Sequence, residues 1–152
     1  MKFVYFFAFI STFNLNVVAQ NKNVSDTKVR RKIVVFTKQM AKRNMIFGRA
    51  VGFGAEETTE YKVFKRFVED ASVNEIICLS KHKNPIIRGY VFLALRIIDK
   101  KEAGNLLPVL KKDEIWVDTN LHGCVPFPYK LKQFAEIMMN LTDDEILMYY
   151  KK

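Results

Sequence analysis

The hydrophobic positions of residues 84–98 recur at helical spacing and predict one largely buried helix. The apolar stripe is formed by Ile87, Val91, Leu95 and Ile98. Asn84 is suited to cap the helix and Pro85 fits its first position, where a missing N–H costs nothing. Because Tyr90 and Phe92 widen the stripe, little of this helix is left for water. We therefore expect it to lie between other elements.

A shorter helix is predicted immediately before it. Ser72 and Glu75 have the spacing of a capping box, and the helix should run to about Lys81. The turn His82-Lys83 would then join the two helices into a helical hairpin.

This hairpin resembles a HEAT repeat, a pair of helices that stacks into a solenoid. The matching positions are Asn84 and Pro85 at the turn, Arg88 one turn into the second helix, and Ala94-Leu95 near its middle. The resemblance covers residues 72–99 well and residues 101–140 loosely, as a degenerate second repeat. It implies an α-helical scaffold or binding module, with Arg88 paired to an acidic group or a carbonyl near a neighbouring turn. It names no ligand.

The rest of the chain predicts more helices and one long irregular segment. Amphipathic spacing indicates helices over about 27–42, 56–71, 101–111 and 129–140, and a short one after Thr142. Residues 33–36 could alternatively form a strand, since β-branched runs favour sheets. The glycine-rich residues 44–55 read as a linker and residues 113–128 as a loop. The predicted fold is all-α, a short HEAT-like stack of α-α hairpins with one irregular loop.

The first nineteen residues have the features of a secretory signal peptide. Lys2 precedes an apolar run that is too short for a comfortable bilayer span, and Ala19 precedes the favoured cut. The alternatives are an N-terminal element in the core and a retained anchor. We expect a signal peptide over 1–19, a single domain over 20–152, and a periplasmic or secreted location with no transmembrane segment in the mature chain.

The net charge of +9 favours anionic partners. Lys2 is the only charge within residues 1–19, so the remainder carries about +8. The basic residues are spread along the chain, mostly at expected helix ends, where the helix dipole favours cations. A basic surface that only aids solubility would give the same net charge and the same spread of basic residues. Export argues against nucleic acid as the partner.

The side chains that could carry chemistry are few. Cys78 and Cys124 could form a disulfide in an oxidising compartment or stay as two thiols, and the sequence leaves both open. His122 and Asp118 lie near Cys124, but no recognised catalytic or metal-ligand spacing links them. The sequence therefore predicts no catalytic residues, no metal and no cofactor.

The predicted function is that of a non-catalytic, exported protein-interaction or scaffold module, with another protein as its partner. Trp116, His122 and Phe127 mark the irregular segment as a candidate interaction loop, because long loops on rigid scaffolds often carry function. The alternative is a binder of anionic polymer or membrane headgroups through a basic surface.

Overall fold

The computed structural model describes residues 28–150, and within them it has helices on a three-stranded sheet. The helices are α1 (Arg31–Met40), α2 (Thr59–Asp70), α3 (Val73–Leu79), α4 (Pro85–Ile98), α5 (Lys100–Leu110), α6 (Leu131–Asn140) and α7 (Asp143–Tyr149). The strands are β1 (Met45–Val51), β2 (Trp116–Gly123) and β3 (Phe127–Lys130). The predicted signal peptide lies outside the described residues, so export stays a prediction.

The all-α prediction is wrong, because the fold is α/β with a mixed sheet. The strand order is β1-β2-β3, with β1 parallel to β2 and β2 antiparallel to β3. A parallel pair needs a long crossover connection, and α2 to α5 supply it between β1 and β2. The predicted linker at 44–55 contains β1, and the predicted loop at 113–128 contains β2 and the start of β3.

The HEAT-like solenoid is also wrong. The α3–α4 hairpin exists as predicted, but the segment proposed as a second repeat, 101–140, is divided by β2 and β3. In a solenoid, the next helical hairpin would pack against α4. Here the strand β1 packs against it instead. Ile46 of β1 is fully buried against α4. No repeat is evident within residues 28–150.

The predicted central helix is confirmed as the middle of the core. In α4 the Asn84 side chain accepts a hydrogen bond from the Ile86 amide at 2.9 Å, so the predicted cap is present. Every residue from Gly89 to Arg96 is buried. Gly89 allows α4 to approach the sheet closely, since a Cβ there would lie 2.4 Å from the Ile46 Cδ1 atom. Tyr90 adds a polar contact, because its hydroxyl accepts the Phe47 amide at 2.8 Å.

Glu75 ties α3 to the start of α1. Its carboxylate is 4% exposed and receives the Arg30 guanidinium, with Nη2 at 2.7 Å from Oε2 and Nε at 2.8 Å from Oε1. It also accepts the backbone amide and hydroxyl of Ser72, which completes the predicted capping box. The guanidinium of Arg30, followed by the Arg30 amide and then the Ser72 donors, holds the pKa of Glu75 well below its usual 4.5.

Lowering the pH below about 5 is expected to destabilise the protein partly through Glu75. The pKa of this carboxyl is lower in the folded than in the unfolded chain. Its stabilisation is therefore fully present above pH 4.5 and is lost as the pH falls toward the folded-state value. Urea unfolding at pH 7 and pH 3 measures this. Glu75→Gln should be less stable at pH 7 and lose less stability on acidification. An identical pH dependence in both proteins would remove Glu75 from this role.

Candidate functional site

The residues of the predicted repeat motif cap α4, fill its buried side or brace the turn before it. Asn84 and Pro85 begin α4, and Ala94 and Leu95 are fully buried inside it. Arg88 is half-buried and faces the turn before α4. The motif residues thus build the core and one turn contact.

The two cysteines lie in different parts of the fold. Cys78 is half-buried on α3, and Cys124 is exposed in the turn between β2 and β3. The structure holds no disulfide between these two residues.

The candidate interaction loop is a β-hairpin, and its aromatic residues do not form one patch. Trp116 pairs with Lys130, and Thr119 pairs with Phe127. Since side chains alternate along a strand, Trp116 and Phe127 leave opposite faces of the sheet. His122 pairs through its backbone with Ala50 in β1. The exposed Trp116 and Phe127 therefore belong to two separate surfaces.

Arg88 joins two lysine-bearing turns that are distant in sequence. Its Nη1 donates to the backbone oxygens of His82 at 2.8 Å and Lys83 at 3.1 Å. Its Nη2 and Nε contact Asp113 Oδ2 at 2.6 and 2.8 Å. The turn before α4 and the turn after α5 are thereby held side by side.

Backbone hydrogen bonds bring the start of α6 to the same place. The Lys132 amide donates to the Asp113 oxygen at 3.1 Å, and the Leu131 amide donates to the Ile115 oxygen at 2.9 Å. Six lysines lie on or beside the three segments that these contacts hold together: Lys81, Lys83, Lys111, Lys112, Lys130 and Lys132. We call this set the basic corner.

The basic corner keeps a positive charge after its ion pairs are counted. Arg88 and Asp113 neutralise each other. Glu114 contacts both Lys130 and Lys132, and Glu136 lies 3.5 Å from Lys111. Six lysines against these two carboxylates leave a local charge of +4.

Some lysines of the basic corner are held by carboxylates, and others have no ion-pair partner among the described residues. Hydrogen bonds from Lys130 and Lys132 hold the pKa of Glu114 below its usual value. Lys81, Lys83 and Lys112 are exposed and form no ion pair with any residue in 28–150. These three ammonium groups are therefore available to an external anion.

Two exposed apolar side chains lie next to the basic corner. Trp116 is 60% exposed and Ile115 is 51% exposed. The Lys130 ammonium lies 5.8 Å from the centre of the Trp116 ring, a cation–π contact. An exposed tryptophan beside clustered lysines is a combination typical of surfaces that meet the membrane interface.

Sequence reasoning missed this corner because its lysines are far apart along the chain. Lys81 and Lys112 are separated by a complete helical hairpin, and each looks like an ordinary cation at a helix end. The one available signal was Arg88, whose expected partner near a neighbouring turn is Asp113. Identifying that partner would have placed both lysine turns together.

Neither a metal-binding cluster nor a membrane-spanning helix is found in the part of the chain that the structure describes. Residues 28–150 contain no group of three or more histidine, cysteine, aspartate or glutamate side chains placed to hold a metal ion. No helix among them is both long and apolar enough to cross a bilayer. No protein-family model, no curated protein and no solved structure matches this chain.

Proposed function

We propose that this protein is a non-catalytic module that binds anionic membrane surfaces through the basic corner. The observation that carries the proposal is the basic corner itself, six lysines on three joined segments with a local charge of +4, next to the exposed Trp116 that Lys130 contacts. Such a surface attracts anionic headgroups, and each lysine near a membrane contributes about 1 kcal/mol.

The apolar neighbours favour headgroups over a soluble anionic polymer. Trp116 and Ile115 are more than half exposed although both are large and apolar. A polymer such as heparin would pair with the lysines and leave these side chains in water. At a membrane Trp116 reaches the boundary between headgroups and acyl chains, where tryptophan is favoured.

The chain contains a single tryptophan, so its fluorescence reports directly on the corner. On titration with phosphatidylglycerol-containing vesicles at low salt, we expect the emission of Trp116 to shift to shorter wavelength. Vesicles of phosphatidylcholine alone should give no shift. Raising the salt concentration should weaken binding, because exposed charges are screened.

Removing the three lysines without carboxylate partners tests the location of the surface. The triple variant Lys81→Gln, Lys83→Gln, Lys112→Gln should bind anionic vesicles about a hundredfold more weakly, at about 1 kcal/mol for each lysine. The matched control, Lys38→Gln, Lys42→Gln, Lys62→Gln, makes the same charge change at exposed positions on and after α1 and on α2. An equal loss of vesicle affinity in both variants would contradict the assignment of the basic corner as the binding surface. Binding of heparin without a Trp116 shift would favour a polymer, and a salt-resistant protein partner would favour an interaction module.

A further inference from the structure

A second charged site lies away from the basic corner, where the end of α4, the start of α5 and α7 meet. A cavity of about 320 Å³ opens there, within the range of about 300–1,000 Å³ that is usual for ligand pockets. Arg96, Lys100 and Asp143 supply its charged groups. Its apolar wall includes Ile98 and Ile146.

Arg96 is unusual because its charge is buried while most of its donors are unused. Its side chain is only 2% exposed. Nη2 donates to the Leu141 oxygen at 2.6 Å and contacts Asp143 Oδ1 at 2.8 Å. A guanidinium has five N–H donors, so three of them have no acceptor among the described residues. One of these three is Nε, which is buried and without a partner.

Buried donors are normally satisfied, and one left unpaired costs free energy. Two of the five donors suffice to anchor α7 through Leu141 and Asp143. The two Nη1 donors are what a second acceptor, supplied from the cavity, would use, since Nε has almost no accessible surface.

The other charges of the cavity select the sign of the ligand. Lys100 Nζ lies 3.2 Å from Asp143 Oδ1, so both cations share one carboxylate. These contacts, that of Lys100 first, hold the pKa of Asp143 below its usual value, so the carboxylate is ionised at neutral pH. The site therefore carries two positive charges and one negative charge, which complements a monoanion.

The open side of the cavity is formed by the carboxylate. The Asp143 side chain is 71% exposed and that of Lys100 is 53% exposed, while Arg96 lies inside. An anion entering from solvent would contact the exposed Lys100 ammonium and compete with the Asp143 oxygen for it. Its apolar part would then face the isoleucines of the wall.

We propose that this cavity binds a small organic monoanion with a short aliphatic tail, such as a medium-chain carboxylate. The head would bind Lys100 and the Nη1 groups of Arg96, and the tail would lie against Ile98 and Ile146. The site is independent of the basic corner and does not rest on the membrane-binding proposal.

Hexanoate is the probe, and the Arg96 Nε–H signal in ¹⁵N–¹H NMR spectra of the full chain is the readout. Titration with hexanoate should shift this signal and give saturable binding that is tighter than that of acetate, which lacks the tail. Hexylammonium has the same tail and the opposite charge, so it should not bind. Equal binding of hexylammonium, or tighter binding of inorganic phosphate than of hexanoate, would overturn the assigned ligand class.

Two variants with opposite expected effects test the charges while leaving the buried Arg96 in place. Lys100→Gln should weaken hexanoate binding by about tenfold, the effect of one charge-assisted hydrogen bond. Asp143→Asn removes the competing carboxylate and should tighten binding severalfold. Lys101→Gln, at the exposed neighbouring position, is the matched control and should bind as the unmodified protein does. Absence of tightening in Asp143→Asn, or equal weakening in both lysine variants, would overturn the site.

Discussion

Replacing Gly48 by alanine is expected to lower the free energy of unfolding by about 3 kcal/mol or more, the upper range for overpacking. A Cβ atom on Gly48 would lie 1.9 Å from the Leu121 carbonyl oxygen. This obstacle is backbone of the neighbouring strand, so no side-chain rotation relieves it. The parallel strands β1 and β2 would have to separate.

The position of Gly48 in the sheet explains why the contact is so close. The pairing of β1 with β2 is regular from Met45 to Phe47, shifts, and resumes at Ala50. Gly48 stands inside this irregularity, where the two backbones approach. A glycine in a strand interior often marks such a bulge or close approach.

Gly104→Ala is the control, because the same substitution should have the opposite effect there. Gly104 lies within α5, and a Cβ would meet only the Met139 Cε atom at 3.6 Å, an ordinary contact. Alanine in a helix interior is favoured over glycine by about 0.5–1 kcal/mol. Urea denaturation followed by circular dichroism measures both variants. An unchanged midpoint for Gly48→Ala would mean that β2 does not lie against Gly48.

Leu95→Ala should cost about 2–5 kcal/mol through the loss of buried methyl groups and the cavity left behind. Leu95 is fully buried in α4, the helix with the most buried residues among those described. The core around it is close-packed, so its neighbours fill the space only in part.

The control for this variant is Leu147→Ala on α7, where the side chain is 44% exposed. Surface substitutions usually change stability by about 0.5 kcal/mol or less. The same denaturation measurement compares the two leucines. A loss at Leu95 no larger than that at Leu147 would place α4 outside the core.

The helices were predictable because their signals are local. The Asn84 cap with Pro85 behind it and the Ser72–Glu75 box are each contained within four residues, and both are present. The short helix expected after Thr142 is present as well. Residues 33–36 form part of a helix, as the apolar spacing indicated against the strand alternative.

The strands were missed because their pairing is not local. Met45 in β1 pairs with Asp118 in β2, more than seventy residues along the chain. Within residues 44–55 the glycines suggested a linker, although Gly48 is required where the backbones approach. The resemblance of residues 72–99 to one HEAT repeat was extended to an all-helical fold, and only the hairpin itself is present.

The two proposed sites depend on tertiary structure for the same reason. Lysines at two turns become one surface because Arg88 reaches Asp113, and Arg96 meets Asp143 because α7 folds back onto the end of α4. The sequence by itself determined the helices, their caps and the buried face of α4, since these depend on neighbours within a few residues. Only the tertiary structure decided the sheet, the basic corner and the charged cavity, because each requires contacts between segments that the chain separates widely.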